Sequence, residues 1–168
     1  MDIIKLSSCL EWEKSISLDH GLRDSFDCGK SSLNNFLKQY ARQADEHNTA
    51  RTFVALDQEN KKIAGYVSLA NTSLEKQAAA GLIKTTVNPI PALLIGRLAV
   101  DINYRGQRLG EKLLVFAFEK ALAINEMSGI QAIVVDTIDA EAEAFYDKYG
   151  FQKIKDTNKM ILSLKDLH

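Results

Sequence analysis

The hydrophobic and polar positions of the chain form two alternating kinds of segment. Runs rich in branched and aromatic residues lie near Ile3 to Leu6, at Thr52 to Leu56, Ile63 to Ala70, Leu93 to Val100 and Gln131 to Thr137, with a last pair at Phe151 to Ile154 and Lys159 to Leu164; they read as strands. Helical spacing runs between them. Apolar Leu33, Phe36, Leu37, Tyr40, Ala41 and Ala44 predict an amphipathic helix that starts at Ser31 or Ser32, either of which can cap it, and ends near His47. Leu113, Leu114, Ala117, Phe118, Ala121 and Leu122 predict another, to about Glu126. A third covers Glu141 to Tyr149 and stops at Gly150 in the C′ position.

The connections are weaker. Polar DQENKK between two β-type runs predicts an exposed hairpin turn, and the rest of residues 1 to 30 reads mostly as loop. After Asn71, TSLEKQAAAGLIKTTVNPIP keeps no period; Leu74 to Leu82 supports a short helix, and Pro89 and Pro91 are expected to interrupt regular structure. The order is strand, helix, strand pair, strand, helix, strand, helix, strand pair. It implies an α/β (α+β) fold: a mixed sheet covered by helices, with a right-handed β-α-β crossover from 93–100 to 131–137, the latter run apolar enough to be buried on both faces.

Composition narrows the picture. The 168 residues, 46% of them hydrophobic, suffice for a single domain spanning 1–168. A net charge of −1 supplies no global field toward nucleic acid or membrane. Without a signal-type start or a run of ~18 apolar residues, the expected location is cytoplasmic and no membrane partner is expected. Cys9 and Cys28 lack CxxC spacing, and His20, His47 and His168 form no HExxH, so no metal is expected; packing is the ordinary role for both cysteines.

Candidate chemistry centres on Ile95 to Leu114. A strand feeds a helix whose start carries Arg105, Gly106, Gln107, Arg108, Leu109 and Gly110. The free N–H groups of a helix start, its positive dipole end and two arginines favour an anion such as a pyrophosphate.

This segment resembles the acyl-CoA-binding motif of the GCN5-related N-acetyltransferases (GNAT): Arg or Gln, two residues, Gly, one residue, then Gly or Ala. Arg108 stands where that family carries its middle glycine, and its guanidinium can pair with phosphate oxygens. Downstream, Ala144 to Phe151 (AFYDKYGF) is similar to the family's helix-to-strand signature. Phe26-Asp27-Cys28-Gly29 with Leu33, Asn34, Phe36 and Leu37, together with Gly96 to Asp101 (GRLAVD), resembles the acetyltransferase toxins of bacterial toxin–antitoxin modules.

The resemblance implies a GNAT fold, a mostly antiparallel sheet of six to seven strands flanked by helices, and acetyl-CoA as co-substrate. It places the pantetheine arm and thioester along the main chain of Leu98, Ala99 and Val100, and the phosphates at Arg105, Gly106, Gln107, Arg108, Leu109 and Gly110. Tyr146 is the implied general acid for the leaving thiolate; helix spacing alone equally allows it to anchor its helix. Arg97 is either a substrate contact or an ordinary strand residue, solvated or in a salt bridge. Tyr149 and Phe151 read as core. The implied acceptor is the α-amine of an aminoacyl-tRNA and the implied partner a ribbon-helix-helix antitoxin; a homodimer stays open. A small-molecule amine or a protein N-terminus is the alternative acceptor, and a non-catalytic acyl-CoA- or partner-binding module the alternative of another class. Lys30, Lys38, Arg42, Arg51, Lys76, Lys84 and Arg97 are dispersed basic residues without an RNA-binding signature.

Overall fold

The computed structural model describes residues 1–167. Seven strands form one sheet in the order β1-β2-β3-β4-β5-β7-β6: β1 Asp2–Lys5, β2 Arg51–Asp57, β3 Lys62–Leu74, β4 Ile90–Val100, β5 Ala132–Asp136, β6 Gln152–Lys153 and β7 Lys159–Ser163. The helices are α1 Leu6–Lys14, α2 Ser31–Asn35, α3 Ala41–Glu46, α4 Leu109–Ser128 and α5 Ala140–Lys148. The strand and helix order read from the pattern is present, with one addition. Alpha-helix α1 follows β1 directly inside the stretch expected to be mostly loop. Its inward residues Leu6 and Cys9 are buried, with Leu10 and Trp12 packed against the same core. Nine residues show only about two and a half turns of period, and Ser7 and Ser8 are weak helix formers, so tertiary packing decides this element.

Contacts cluster into two units, one of Met1–Leu69 with Arg97–Ala117, the other of Ala70–Gly96 with the residues from Phe118 on. In the first, β1 and β3 flank β2 in antiparallel pairs. The core gathers Leu6, Cys9, Leu22, Phe26, Leu33, Phe36, Leu37, Val54, Ile63 and Tyr66. The predicted 31–47 helix is interrupted by a π turn over Phe36–Tyr40, where Ala41 N–H reaches back to Phe36 O. A π turn inserts one residue into the helical period. Ala41 is thereby buried while Tyr40, expected on the apolar stripe, is 56% exposed.

In the second unit, β4 pairs parallel with β5, Ala92–Ile95 against Ala132–Val135, and β7 is antiparallel to both β5 and β6. Two expectations are corrected here. Beta-strand β4 begins at Ile90 and contains Pro91 rather than starting beyond it; near a strand end a missing N–H is tolerated, and Pro91 still accepts a hydrogen bond from Gln131 N–H at 2.9 Å. The Leu74 to Leu82 helix is absent: β3 runs to Leu74, and turns follow, closed by Ala79 N–H to Glu75 O at 3.2 Å. Ala79 and Ile83 from this excursion are buried with Ile90, Ala92, Val134 and Ile161. Along α4 the predicted stripe buries Leu113, Leu114, Ala117 and Ala121, but Leu122 is exposed, one position round the helix from that face.

Candidate active site

The first unit holds most of the predicted site. Beta-strand β4 delivers Arg97, Leu98, Ala99 and Val100; Ala99 is buried, Leu98 and Val100 are half-buried, and Arg97 is exposed. Arg97 lies on the side of the strand that carries Ala99, with its guanidinium carbon 4.0 Å from the centroid of the Phe36 ring, a cation–π contact. The first turn of the π segment thus holds this arginine at the surface. Both readings of Arg97 stay compatible with that placement.

After Val100 the chain makes a 3₁₀ turn over Ile102–Tyr104, capped by Asp101, and enters α4 at Leu109. Gly106 has φ +78 and Arg108 φ +59, with Gly106, Gln107 and Arg108 exposed. The position where the family carries glycine is therefore left-handed in this chain, and an arginine occupies it at a cost of about 1 kcal/mol or more. Arg108 O accepts the first helical bond of α4, from Lys112 N–H at 3.1 Å. The N–H groups of Leu109, Gly110 and Glu111 are therefore left over by the helix ladder. An exposed loop with a glycine, an arginine and unspent N–H donors fits an anionic diphosphate group.

The Phe26 to Gly29 motif folds onto this loop. Asp27 N–H donates to the buried Asp101 carboxylate at 3.0 Å, Ile102 N–H donates to Asp27 O at 2.9 Å, and Arg105 Nη2 donates to Cys28 O at 2.8 Å. Asn34 of α2 closes the turn, accepting from Cys28 N–H at 2.9 Å and donating to the Asp27 carboxylate at 2.9 Å, which also accepts from Gly29 N–H at 2.8 Å. These bonds, Asn34's first, lower the Asp27 pKa. Three separated stretches of the chain, Asp27 to Gly29, Asn34 and Asp101, thus form one hydrogen-bonded cluster. Cys28 is a packed free thiol whose pKa is raised, chiefly by burial.

Two further supports were not legible in the pattern. The Tyr104 hydroxyl donates to the Asp57 carboxylate at 2.6 Å; burial first, then Asp57, pushes the Tyr104 pKa up to about 12. Forty-seven residues separate the two, and neither belongs to a motif. Gly65 on β3 sits where a Cβ would lie 2.9 Å from Ala99 O and 3.0 Å from Leu113 Cδ1. A lone glycine inside a β-type run was its only sequence signal.

The second unit holds Tyr146. It lies on α5, whose start is capped by the Asp139 carboxylate accepting from Ala142 N–H at 2.9 Å and whose end turns at Gly150 with φ +95. Tyr146 is 5% exposed, with edge-on ring contacts to Phe145 and Phe151, each at 5.2 Å. Burial alone raises its pKa, so the hydroxyl stays protonated through neutral pH. Phe151 is buried, as read. Of the residues singled out for acyl transfer, Arg97 to Gly110 thus lie in the first unit and Tyr146 in the second.

The acetyltransferase (GNAT) domain family matches residues 48–153 of the chain. The chain belongs to the GNAT family. This N-acetyltransferase is 31% identical over 144 residues, 84% of the chain and 86% of the relative, to the tRNA-acetylating toxin of Mycobacterium tuberculosis. Among solved structures it is similar to AtaT complexed with acetyl-methionyl-tRNAfMet, with a TM-score of 0.82, 22% identity and coverage of 99% of this chain and 96% of that one. A mutant AtaT toxin bound to the C-terminus of the antitoxin AtaR and acetyl-CoA gives a TM-score of 0.76 at 22% identity, covering 98% and 93%. At that identity the two structures show the fold, the mostly antiparallel sheet flanked by helices that the sequence motifs implied. The matched stretch takes in the 105–110 loop and the 144–151 signature but not Phe26 to Gly29.

Among the described residues no group of three or more His, Cys, Asp or Glu side chains could hold a metal ion, and no helix is long and apolar enough to cross a membrane. His168 lies outside the described residues.

Proposed function

We propose that this acetyltransferase is a toxin that moves the acetyl group of acetyl-CoA onto the α-amine of an aminoacyl-tRNA, blocking translation, and that a ribbon-helix-helix antitoxin holds it inactive. The whole chain acts as one acetyltransferase domain, in the cytoplasm where charged tRNA is found. The observation that carries the substrate is the 31% identity, over 84% of the chain, to a relative named as a tRNA-acetylating toxin. Solved structures of the same fold in complex with an acetylated aminoacyl-tRNA and with an antitoxin support it.

The chain's residues divide the work. The left-over N–H groups at the start of α4, in the loop from Arg105 to Gly110, hold the diphosphate of acetyl-CoA. The main chain of Leu98, Ala99 and Val100 carries the pantetheine arm as an added strand would and presents an N–H to the oxyanion that forms at the thioester carbonyl. Acetyl-CoA supplies an activated acyl group and a thiolate leaving group. Tyr146, kept protonated by burial, donates to that thiolate. The acceptor α-amine, with a pKa of roughly 7.7–8.0, is partly neutral at physiological pH, so no strong base is required. Arg97, displayed by Phe36, contacts the acceptor.

The test is to incubate the protein with labelled acetyl-CoA and total charged tRNA. Label recovered as N-acetyl-aminoacyl-tRNA is the expected result. Label on free small amines or protein N-termini, with none on charged tRNA, would overturn the acceptor assignment, and cofactor binding without turnover would overturn catalysis.

A further inference from the structure

We infer that the two arginines of the phosphate loop have different tasks: Arg105 is a positioning strut whose hydrogen bond to Cys28 O holds the loop, and Arg108 alone supplies positive charge to the cofactor's phosphates. The inference rests on the reading that residues 105–110 bind acetyl-CoA.

The geometry separates them. Arg105 turns back from the loop, and its Nη2 is 2.8 Å from Cys28 O. The receiving turn is shaped for it: Gly29 has φ +86, and a Cβ there would lie 3.3 Å from the same Nη2. That turn is itself fixed, because Asp27 bonds through both its N–H and its carbonyl to Asp101 and Ile102, and Asn34 pins Asp27 and Cys28 from α2. Arg105 therefore ties the loop to this hydrogen-bonded turn by a bond that needs a donor and does not need a charge. Arg108 is the opposite case. Its side chain makes no hydrogen bond or ion pair among the described residues, it is exposed, and it stands at the start of α4. It does so in a left-handed conformation that glycine would adopt without strain, so what the arginine adds over glycine is its side chain.

Charge and hydrogen bonding can be told apart by substitution and salt. Acetyl-CoA affinity is measured by calorimetry for the full-length protein at ionic strengths of about 0.05 and 0.3 M, between which exposed charge pairs are progressively screened. Arg105→Ala and Arg105→Gln, whose amide stops short of the Nη2 position, are both expected to weaken binding roughly tenfold and to keep the wild-type salt dependence. Arg108→Gln is expected to weaken binding roughly tenfold at low salt and to flatten the salt dependence, since a charge-assisted contact is lost. Thermal melting of each variant reports folding, and Arg105→Gln keeps the test open should Arg105→Ala unfold. If either Arg105 variant flattens the salt dependence, Arg105 is an anion ligand and the division fails. If wild-type protein does not bind acetyl-CoA, the reading of the loop itself fails instead.

Discussion

At Tyr146 a packed position coincides with the acid role proposed for it. Its ring is held edge-on between Phe145 and Phe151, and its burial raises the hydroxyl pKa. A raised pKa in a neutral acid extends the protonated form to higher pH, so the donor is present throughout the working range. Tyr146→Phe, which keeps the ring, is expected to lower kcat by about 100-fold or more while acetyl-CoA affinity stays within about twofold. Equal losses in both would make the residue an anchor. The same reasoning sets the pH profile. The rate should rise as the acceptor amine loses its proton, levelling above roughly pH 8, with no descending limb below about pH 9; initial rates on a defined aminoacyl-tRNA between pH 6 and 9 check this. The tyrosine was legible from its motif. Its dry aromatic surroundings were not, because they join side chains from a helix and the segment beyond it.

At the scale of elements, the site is built by close approach. Gly65 lets β3 meet Ala99 and the inner face of α4, and a Cβ there would stand 2.9 Å from a backbone oxygen, which cannot move aside as a side chain can. Gly65→Ala is therefore expected to destabilise the fold by about 1–3 kcal/mol, read from the urea midpoint, and to weaken acetyl-CoA binding through displaced β4. The Asp27 to Gly29 turn depends on Asn34 in a similar way. Asn34→Ala removes the partner of Cys28 N–H and one of the Asp27 carboxylate's donors, at an expected cost of about 1–3 kcal/mol, and Asn34→Asp, which keeps the acceptor for Cys28 N–H but sets a second carboxylate against Asp27, should recover none of it. Sequence spacing predicted the helices and strands around these contacts well. It missed α1, too short to show a period, and it placed Tyr40 on the buried stripe because a π turn changes the period without any local mark.

For the whole molecule, the buried neutral acids link stability to pH. Cys9, with its pKa raised to about 11, chiefly by burial, and Tyr66 and Tyr146, both raised chiefly by burial, keep their protons in the folded protein. Unfolded, a cysteine ionises near 8.5 and a tyrosine near 10, as approximate reference values. The unfolded chain thus releases protons first, and stability is expected to be full below about pH 8 and to fall as pH rises through the unfolded values toward the folded ones. Urea midpoints at about pH 8 and pH 10.5 test this; an unchanged midpoint would mean that these groups ionise equally in both states.

The sequence by itself determined the order of the main elements other than α1, the strand-to-helix loop proposed to hold phosphates and the family motifs, because hydrophobic period, glycine placement and local motif chemistry are properties of neighbouring residues. It also exposed the one irregularity in the loop, Arg108 in the place of a glycine. Only the tertiary structure decided how the pieces bear on one another: that Phe26 to Gly29 clasps Asp101 and Arg105 across more than seventy residues of chain, that Tyr104 is tied to Asp57, and that Arg97 rests on Phe36. These contacts depend on which faces meet after folding, and no local spacing encodes them.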